Sequence, residues 1–171
     1  MNIFVLDRDP ETAAILQCDS HVVKMILESA QMLCAAHHVL DSAVDFPAIN
    51  PGYLYKPTHT NHPCSKWVRE SVWNYVWLYQ HFRALSDEYT YRFGKKHKSW
   101  ITLGEKLNTV PKNIPTKEQT PFALAMPHSI KQMSDKGDCE KYRIFYNWKS
   151  GNFKMKWTKR VVPTWFQQRT E

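Results

Sequence analysis

The sequence predicts an all-α fold: a single helical domain spanning residues 1–171, with long ordered loops and a basic, aromatic C-terminal segment over 141–171. Three observations predict it. Residues 19–40 and 64–93 carry apolar side chains at helical spacing. Little of the chain alternates apolar and polar residues as a half-buried strand does. A 43% apolar content with 13% aromatics supplies a core at this length.

The chain opens with "MNIFVLDRDPETAA", acidic where a signal peptide would be basic, and no apolar run approaches the roughly 18 residues of a membrane span. The expectation is a cytoplasmic monomer with no membrane partner. Cys18, Cys34, Cys64 and Cys139 are too few and too scattered for a disulfide framework, so they are read as reduced thiols.

The first helix is expected over 19–40 with Asp19 or Ser20 as its cap. Four prolines in "VDFPAINPGYLYKPTHTNHP", residues 44–63, mark a loop. Asn61 is the expected cap and Pro63 an early residue of a second helix that runs unbroken to Phe93 and stops at Gly94. A short helix around 100–107, a proline-marked loop over 110–127 and a helix over 138–148 complete the reading.

Charge is unevenly placed. The net charge is +7, yet residues 1–140 balance 15 Lys and Arg against 15 acids, so the excess lies in 141–171, with eight Lys and Arg against Glu171 alone. That stretch also carries Tyr142, Phe145, Tyr146, Trp148, Phe153, Trp157, Trp165 and Phe166. Cations attract phosphate and flat rings offer stacking surface, a pattern that suits a nucleic-acid groove. A solvated basic face over core aromatics would give the same composition.

Within "QCDSHVVKMILESAQMLCAAHH", residues 17–38, His21, Lys24, Glu28 and Gln31 fall within roughly 80° of one another at about 100° per residue. Val22, Val23, Ile26, Leu27, Ala30, Leu33 and Ala36 cover most of the rest. A narrow stripe of acid, base and amine on a helix otherwise apolar is a candidate active site, and Lys24 and Glu28 are one turn apart. The alternative is a thin solvent strip on a buried helix.

Two Cys-x-x-His pairs, Cys18 with His21 and Cys34 with His37, suggest zinc, but a continuous helix sets them about 24 Å apart at 1.5 Å per residue. His59, His62 and Cys64, with His21, form the remaining metal alternative. His62 and Pro63 are more simply the start of a helix, with His59 or His62 facing solvent or a phosphate. No metal and no cofactor are expected.

The order and spacing of Asp19, His21 and Glu28 in "DSHVVKMILE" resemble the Asp-x-His-x6-Glu of the phage pyrimidine-dimer DNA glycosylases known as endonuclease V, with their bacterial and phage relatives. The stretch with His62, Pro63, Trp67, Glu88, Tyr89, Arg92, Gly94 and Lys95 resembles the long central helix of that superfamily. "RVVPTWF" resembles its Pro-Thr-Trp-aromatic segment.

The resemblance implies a glycosylase and abasic-site lyase in a bacterial or phage-infected cell, acting on a damaged or modified base in double-stranded DNA. An amine attacks the sugar C1′, the base departs and a Schiff base permits strand cleavage, with Glu28 as the carboxylate that stabilises charge and handles protons. The implied phosphate and base contacts are His59, His62, Arg92, Lys95, Lys96, Lys154, Lys156, Lys159 and Arg160, with Trp157 and Trp165 bracing the gap left by an extruded base.

This chain departs from the family pattern at the nucleophile, which in the family is the α-amine of a Thr bared by Met removal. Here the amine is that of Met1, that of Asn2 or the side chain of Lys24. The arginines before and three residues after the family's Glu are Leu27 and Gln31 here. Two alternatives therefore stand beside the glycosylase: a non-catalytic nucleic-acid binder on the same scaffold, and a metal-dependent nucleotide hydrolase or deaminase.

Overall fold

A computed structural model describes residues 1–41 and 53–169. Among these it contains seven α-helices and no strand: α1 (Pro10–Ile15), α2 (Asp19–Leu40), α3 (Pro63–Glu70), α4 (Val72–Phe93), α5 (Lys98–Leu103), α6 (His128–Lys131) and α7 (Asp138–Lys149), with a 3₁₀ turn at Lys106–Asn108. The fold is all-α, as the periodicity predicts. Part of the loop expected over 44–63 lies outside the described residues.

The two 22-residue helices α2 and α4 pack on each other, and α1, α3 and α5 pack around them. Met25, Ile26, Met32 and Leu33 of α2 and Leu78, Phe82 and Leu85 of α4 are fully buried. Each such side chain contributes about 1.5–3 kcal/mol by leaving water.

Helix α1 was not anticipated, although its signal is present. Asp9 caps it by accepting the Thr12 amide at 2.7 Å, and Pro10 occupies the first turn. The cap of α2 is Cys18, one residue before the expected Asp19, which leaves the Asp19 carboxylate for other partners.

The expected unbroken helix over 63–93 is divided at Ser71, whose backbone is extended. The Ser71 hydroxyl accepts the Trp73 amide at 3.1 Å, which caps α4, and donates to the Lys117 carbonyl. Periodicity could not register this break, because its cause is a loop more than 40 residues away. At the start of α3 the cap is His62 rather than Asn61, with Nδ1 accepting the Cys64 amide at 3.2 Å and Pro63 in the first turn. Gly94 closes α4 in the left-handed conformation with φ 71°, as the sequence predicts.

Residues 2–6 are buried although they belong to no helix. Gln17 holds them: its amide donates to the Ile3 carbonyl at 3.1 Å and faces His81 Nε2 at 3.1 Å. His81 Nδ1 in turn donates to the Pro10 carbonyl at 2.9 Å, so the ring is neutral with one donor and one acceptor satisfied. Burial pushes its pKa down to about 4. His21 is pushed down to about 3 by burial first, then by the charges of Lys149 and Lys24.

A depressed histidine pKa gives the unfolded chain the greater proton affinity. Stability is therefore full above about pH 6.5 and is lost as pH falls from there toward the folded values. We expect the unfolding free energy in urea to drop by on the order of 3 kcal/mol between pH 7 and pH 5. A flat profile across that range would contradict these burials.

All four cysteines are unpaired; Cys18, Cys34 and Cys64 are buried and Cys139 is half-buried. No helix among the described residues is long and apolar enough to cross a membrane.

Candidate active site

Glu28 lies on α2 at the edge of its solvent-facing side and is only 8% exposed. One carboxylate oxygen, Oε2, accepts the Asn2 backbone amide at 2.9 Å and stands 3.8 Å from the amino-terminal nitrogen of Met1. The other, Oε1, is 3.5 Å from Lys24 Nζ one turn back. The two amines, of Met1 and Lys24, and the peptide nitrogen of Asn2 that removal of Met1 would turn into an amine thus converge on one carboxylate.

The chain start is pegged there by Asn2. Its side-chain oxygen accepts the Ile3 and Phe4 amides at 2.8 and 3.2 Å, and its side-chain nitrogen donates to the Ala125 carbonyl at 2.7 Å. Phe4 adopts a left-handed backbone with φ 56°, a conformation that costs a side-chain-bearing residue about 1–3 kcal/mol. The surrounding hydrogen bonds and the ring contacts of Phe4 offset that cost. Ser65 of α3 donates to the Met1 sulfur at 3.4 Å.

His21 sits seven residues before Glu28 on α2. Its ring stacks on Phe4 at 4.5 Å, meets Phe153 edge-on at 5.5 Å, and its Nδ1 is 2.7 Å from the Tyr146 hydroxyl. At the cap of α3, His62 is half-buried. Its pKa is lowered by burial first, then by the amino-terminal charge and His59, with Glu28 acting in the opposite sense, which places it beside the same cluster.

Sequence reasoning missed Lys149, the last residue of α7. Its Nζ lies 5.8 Å from the centre of the Phe4 ring and 5.5 Å from that of Phe145. Burial and then Lys24 lower its pKa, while Glu28 raises it. Lys149 was legible only as one of eight cations after residue 140, since its position against α2 depends on packing across more than 100 residues. The aromatic series Trp148, Phe145, Phe4 and His21 stacks continuously, with centroids 5.8, 6.0 and 4.5 Å apart, and Trp148 at its outer end is 47% exposed.

The solvent face of α2 also differs from the expected narrow polar stripe. Val23 and Leu27, assigned by periodicity to the buried side, are exposed beside Lys24, while His21 and Glu28 are the buried members. The rim is thus partly apolar where the resemblance implies arginine.

Asp19, the first residue of the motif, does not join the cluster. Its Oδ1 accepts the Thr158 amide at 2.9 Å and an Arg92 N–H at 3.0 Å, and its Oδ2 accepts the Thr158 hydroxyl at 2.7 Å. Arg92, expected on DNA, is only 3% exposed: it also donates to Glu88 at 2.7 Å and to the Gln17 and Ile15 carbonyls at 2.9 Å. Its guanidinium is engaged inside the protein and is withdrawn from any phosphate.

Trp157, expected to brace a gap in DNA, is likewise interior, with its indole N–H donating to the Leu16 carbonyl at 2.9 Å. Arg160 is half-buried and grips Glu88 with two bonds of 2.8 Å. Burial alone would raise the Glu88 carboxyl, but hydrogen bonds from Arg160 and Arg92 outweigh it and hold the pKa below the usual range. Trp165 is half-buried and edge-on to Tyr146 at 6.0 Å.

Of the cations expected at the site, Lys24, Lys95, Lys96, Lys154, Lys156 and Lys159 are exposed. Lys154 and Lys156 lie near the start of α2, because the Asp19 amide donates to the Lys156 carbonyl at 2.8 Å. Lys95 and Lys96 follow the cap of α4 and touch none of the groups around Glu28 among the described residues. His59 is exposed, with Nδ1 2.7 Å from the Thr58 hydroxyl.

No three His, Cys, Asp or Glu side chains among the described residues converge at metal-ligand spacing. Burial pushes the Cys64 thiol up to about 12, and His62 Nδ1 is already occupied as a cap.

A family model described as pyrimidine dimer DNA glycosylase matches residues 1–102, from the amino terminus to α5. No curated protein and no solved structure matches the chain. Since the matched stretch is more than half of the sequence and holds Met1, Asn2, His21, Lys24, Glu28 and His62, the chain belongs to the pyrimidine dimer DNA glycosylase family.

Proposed function

We propose that the protein is a DNA glycosylase and abasic-site lyase that attacks a damaged base in duplex DNA, a pyrimidine photodimer first among the candidates, with an amine held against Glu28. One observation carries this reading: the Met1 amine, the Asn2 nitrogen and the Lys24 amine all lie within 4 Å of the two oxygens of a single buried carboxylate.

The steps follow from that arrangement. The amine lone pair forms a bond to C1′ as the glycosidic bond breaks, and the base leaves with the bonding electrons and takes up a proton. Glu28 stabilises the positive charge that develops on the sugar and accepts the proton lost by the attacking amine. Ring opening gives an imine at C1′. Removal of a 2′ proton then expels the 3′ phosphate by elimination, and water hydrolyses the imine to free the amine.

Only the unprotonated amine carries the lone pair that attacks, and Glu28 beside it is placed to take the proton. The amine remains beside Glu28 in either processing state: with Met1 present it stands 3.8 Å away, and with Met1 removed the Asn2 nitrogen already stands at 2.9 Å.

The glycosidic bond in a stacked duplex is shielded, so the substrate nucleotide or its partner must leave the helix. Trp148, Val23 and Leu27 offer exposed apolar surface for unstacked bases, and Lys24, Lys149, Lys154 and Lys156 offer phosphate contacts.

The decisive experiment is borohydride trapping on a duplex with one abasic site, followed by peptide mass spectrometry. The expected product is a single covalent adduct on the amine of residue 1 or 2, or on Lys24. Salt-sensitive DNA binding without any adduct would instead favour a non-catalytic binder.

A further inference from the structure

We propose that His21 is a DNA-binding residue that presents its Nε2–H to one phosphate oxygen of the strand seated beside Glu28, its tautomer set by Tyr146. This rests on the DNA-glycosylase reading above and adds a role that the reading leaves open for His21.

The tautomer follows from the partners of Tyr146. Its hydroxyl oxygen accepts the Cys18 amide at 2.9 Å, and of the two groups that could take its proton, the Cys18 thiol and His21 Nδ1, the imidazole nitrogen at 2.7 Å is the stronger acceptor. Nδ1 is therefore the acceptor, and the ring carries its one proton on Nε2. Tyr146 is fully buried on α7 and its ring packs edge-on against both His21 and Phe4, so the donor cannot swing away. Phe4 beneath His21 and Phe153 at its edge fix the plane of the imidazole.

Nε2 has no hydrogen-bond partner among the described residues and is not sealed from solvent, although the residue is only 6% exposed. A fixed donor with nothing to donate to, not sealed from solvent, awaits an acceptor from outside. The local field indicates which acceptor. Lys149 and Lys24 both act on the ring, and Glu28 beyond them is already shared with Lys24 and the chain start. Two ammonium groups around one neutral N–H suit an anionic oxygen.

A third cation at this position would add repulsion without directionality. A neutral N–H held in one orientation supplies direction instead, while the two lysines supply the attraction. His21 thereby fixes where along the strand the phosphate sits and so which C1′ faces the amine.

The test is a cycle between protein and substrate. Affinity is measured for duplexes carrying a tetrahydrofuran abasic analogue, with wild type, His21→Phe and His21→Gln. Each duplex is made with natural phosphates or with a single uncharged methylphosphonate at one of the phosphates flanking the analogue. Phenylalanine keeps the stack on Phe4 and loses the donor, whereas glutamine places an amide N–H near the position of Nε2.

His21→Phe is expected to weaken binding by about tenfold or more, as for a hydrogen bond to a charged group, and His21→Gln to recover most of it. At one methylphosphonate position the difference between wild type and His21→Phe should vanish. Ring ¹⁵N shifts should report Nε2 protonated and Nδ1 bare in wild type, and a mixed tautomer in Tyr146→Phe.

Equal affinity of His21→Phe and wild type, or a penalty that persists at every methylphosphonate position, overturns the proposal while abasic-site trapping by wild type leaves the glycosylase reading intact. Failure of wild type both to trap and to prefer the abasic duplex removes that reading, and this proposal with it.

Discussion

Replacement of Glu28 by glutamine is expected to lower turnover on damaged duplex DNA by about 10²- to 10⁴-fold, the range set by loss of a proton-handling group and of a charge placed against a developing cation. The fold should survive, because a glutamine oxygen can still accept the Asn2 amide that Oε2 now accepts at 2.9 Å. Affinity for an abasic-analogue duplex should stay within a few-fold of wild type, since the buried carboxylate faces the chain start and Lys24. Single-turnover rates and equilibrium binding on the same preparation separate these effects. A Glu28→Gln protein that turns over normally would remove the carboxylate from the mechanism, and one that no longer binds DNA would recast it as an organiser of the cleft.

The second large effect lies away from the chemistry. Arg92→Met is expected to cost about 3–5 kcal/mol, because it removes the buried cation that Glu88 and Asp19 share, leaves Glu88 with Arg160 alone and strands the Gln17 and Ile15 carbonyls. For a chain of this size that corresponds to a fall in Tm of roughly 10 °C or more. Arg160→Met, which removes a half-buried partner of the same Glu88, should cost much less, and the double variant Arg92→Met, Arg160→Met should cost more than the sum of the two because it leaves the Glu88 charge uncompensated. Thermal unfolding of the three proteins tests the ranking. Equal Tm values for Arg92→Met and wild type would show that the network holds nothing.

The sequence made the long helices legible because their signal is local. α2 and the end of α4 at Gly94 follow from periodicity and a cap, both written within a few residues. The break at Ser71 was not legible, because its hydroxyl bonds to Lys117, and propensity within 63–93 contains no trace of that loop. The same division holds for the site. His21, Lys24 and Glu28 are visible as a stripe because one helix spaces them, whereas Lys149, Tyr146 and Phe4 reach them by tertiary packing.

The basic, aromatic segment shows how composition misleads about direction. Its charges and rings were legible as a count, yet the side chains divide between interior and surface. Trp157 and Arg160 face inward, toward Leu16 and Glu88, while Lys154 and Lys156 face out. Arg92 belongs with the inward group for the same reason: four hydrogen-bond acceptors on α4, α2, α1 and the turn between α1 and α2 claim it. A cation count cannot distinguish a phosphate clamp from an internal strut.

The Asp19 carboxylate gives the Asp-x-His-x6-Glu pattern a divided meaning. His21 and Glu28 lie with Phe4, Lys24 and the chain start, but Asp19 receives Thr158 and Arg92 and so ties residues 156–160 to the start of α2. One string of letters therefore answers to two selective pressures. The aspartate is bound to the fate of the C-terminal segment, and the histidine and glutamate, on the proposed function, to that of the reaction. A lineage that dispensed with the segment would be free to lose position 19 together with 92 and 158 while keeping 21 and 28, and a lineage that dispensed with the chemistry would show the reverse.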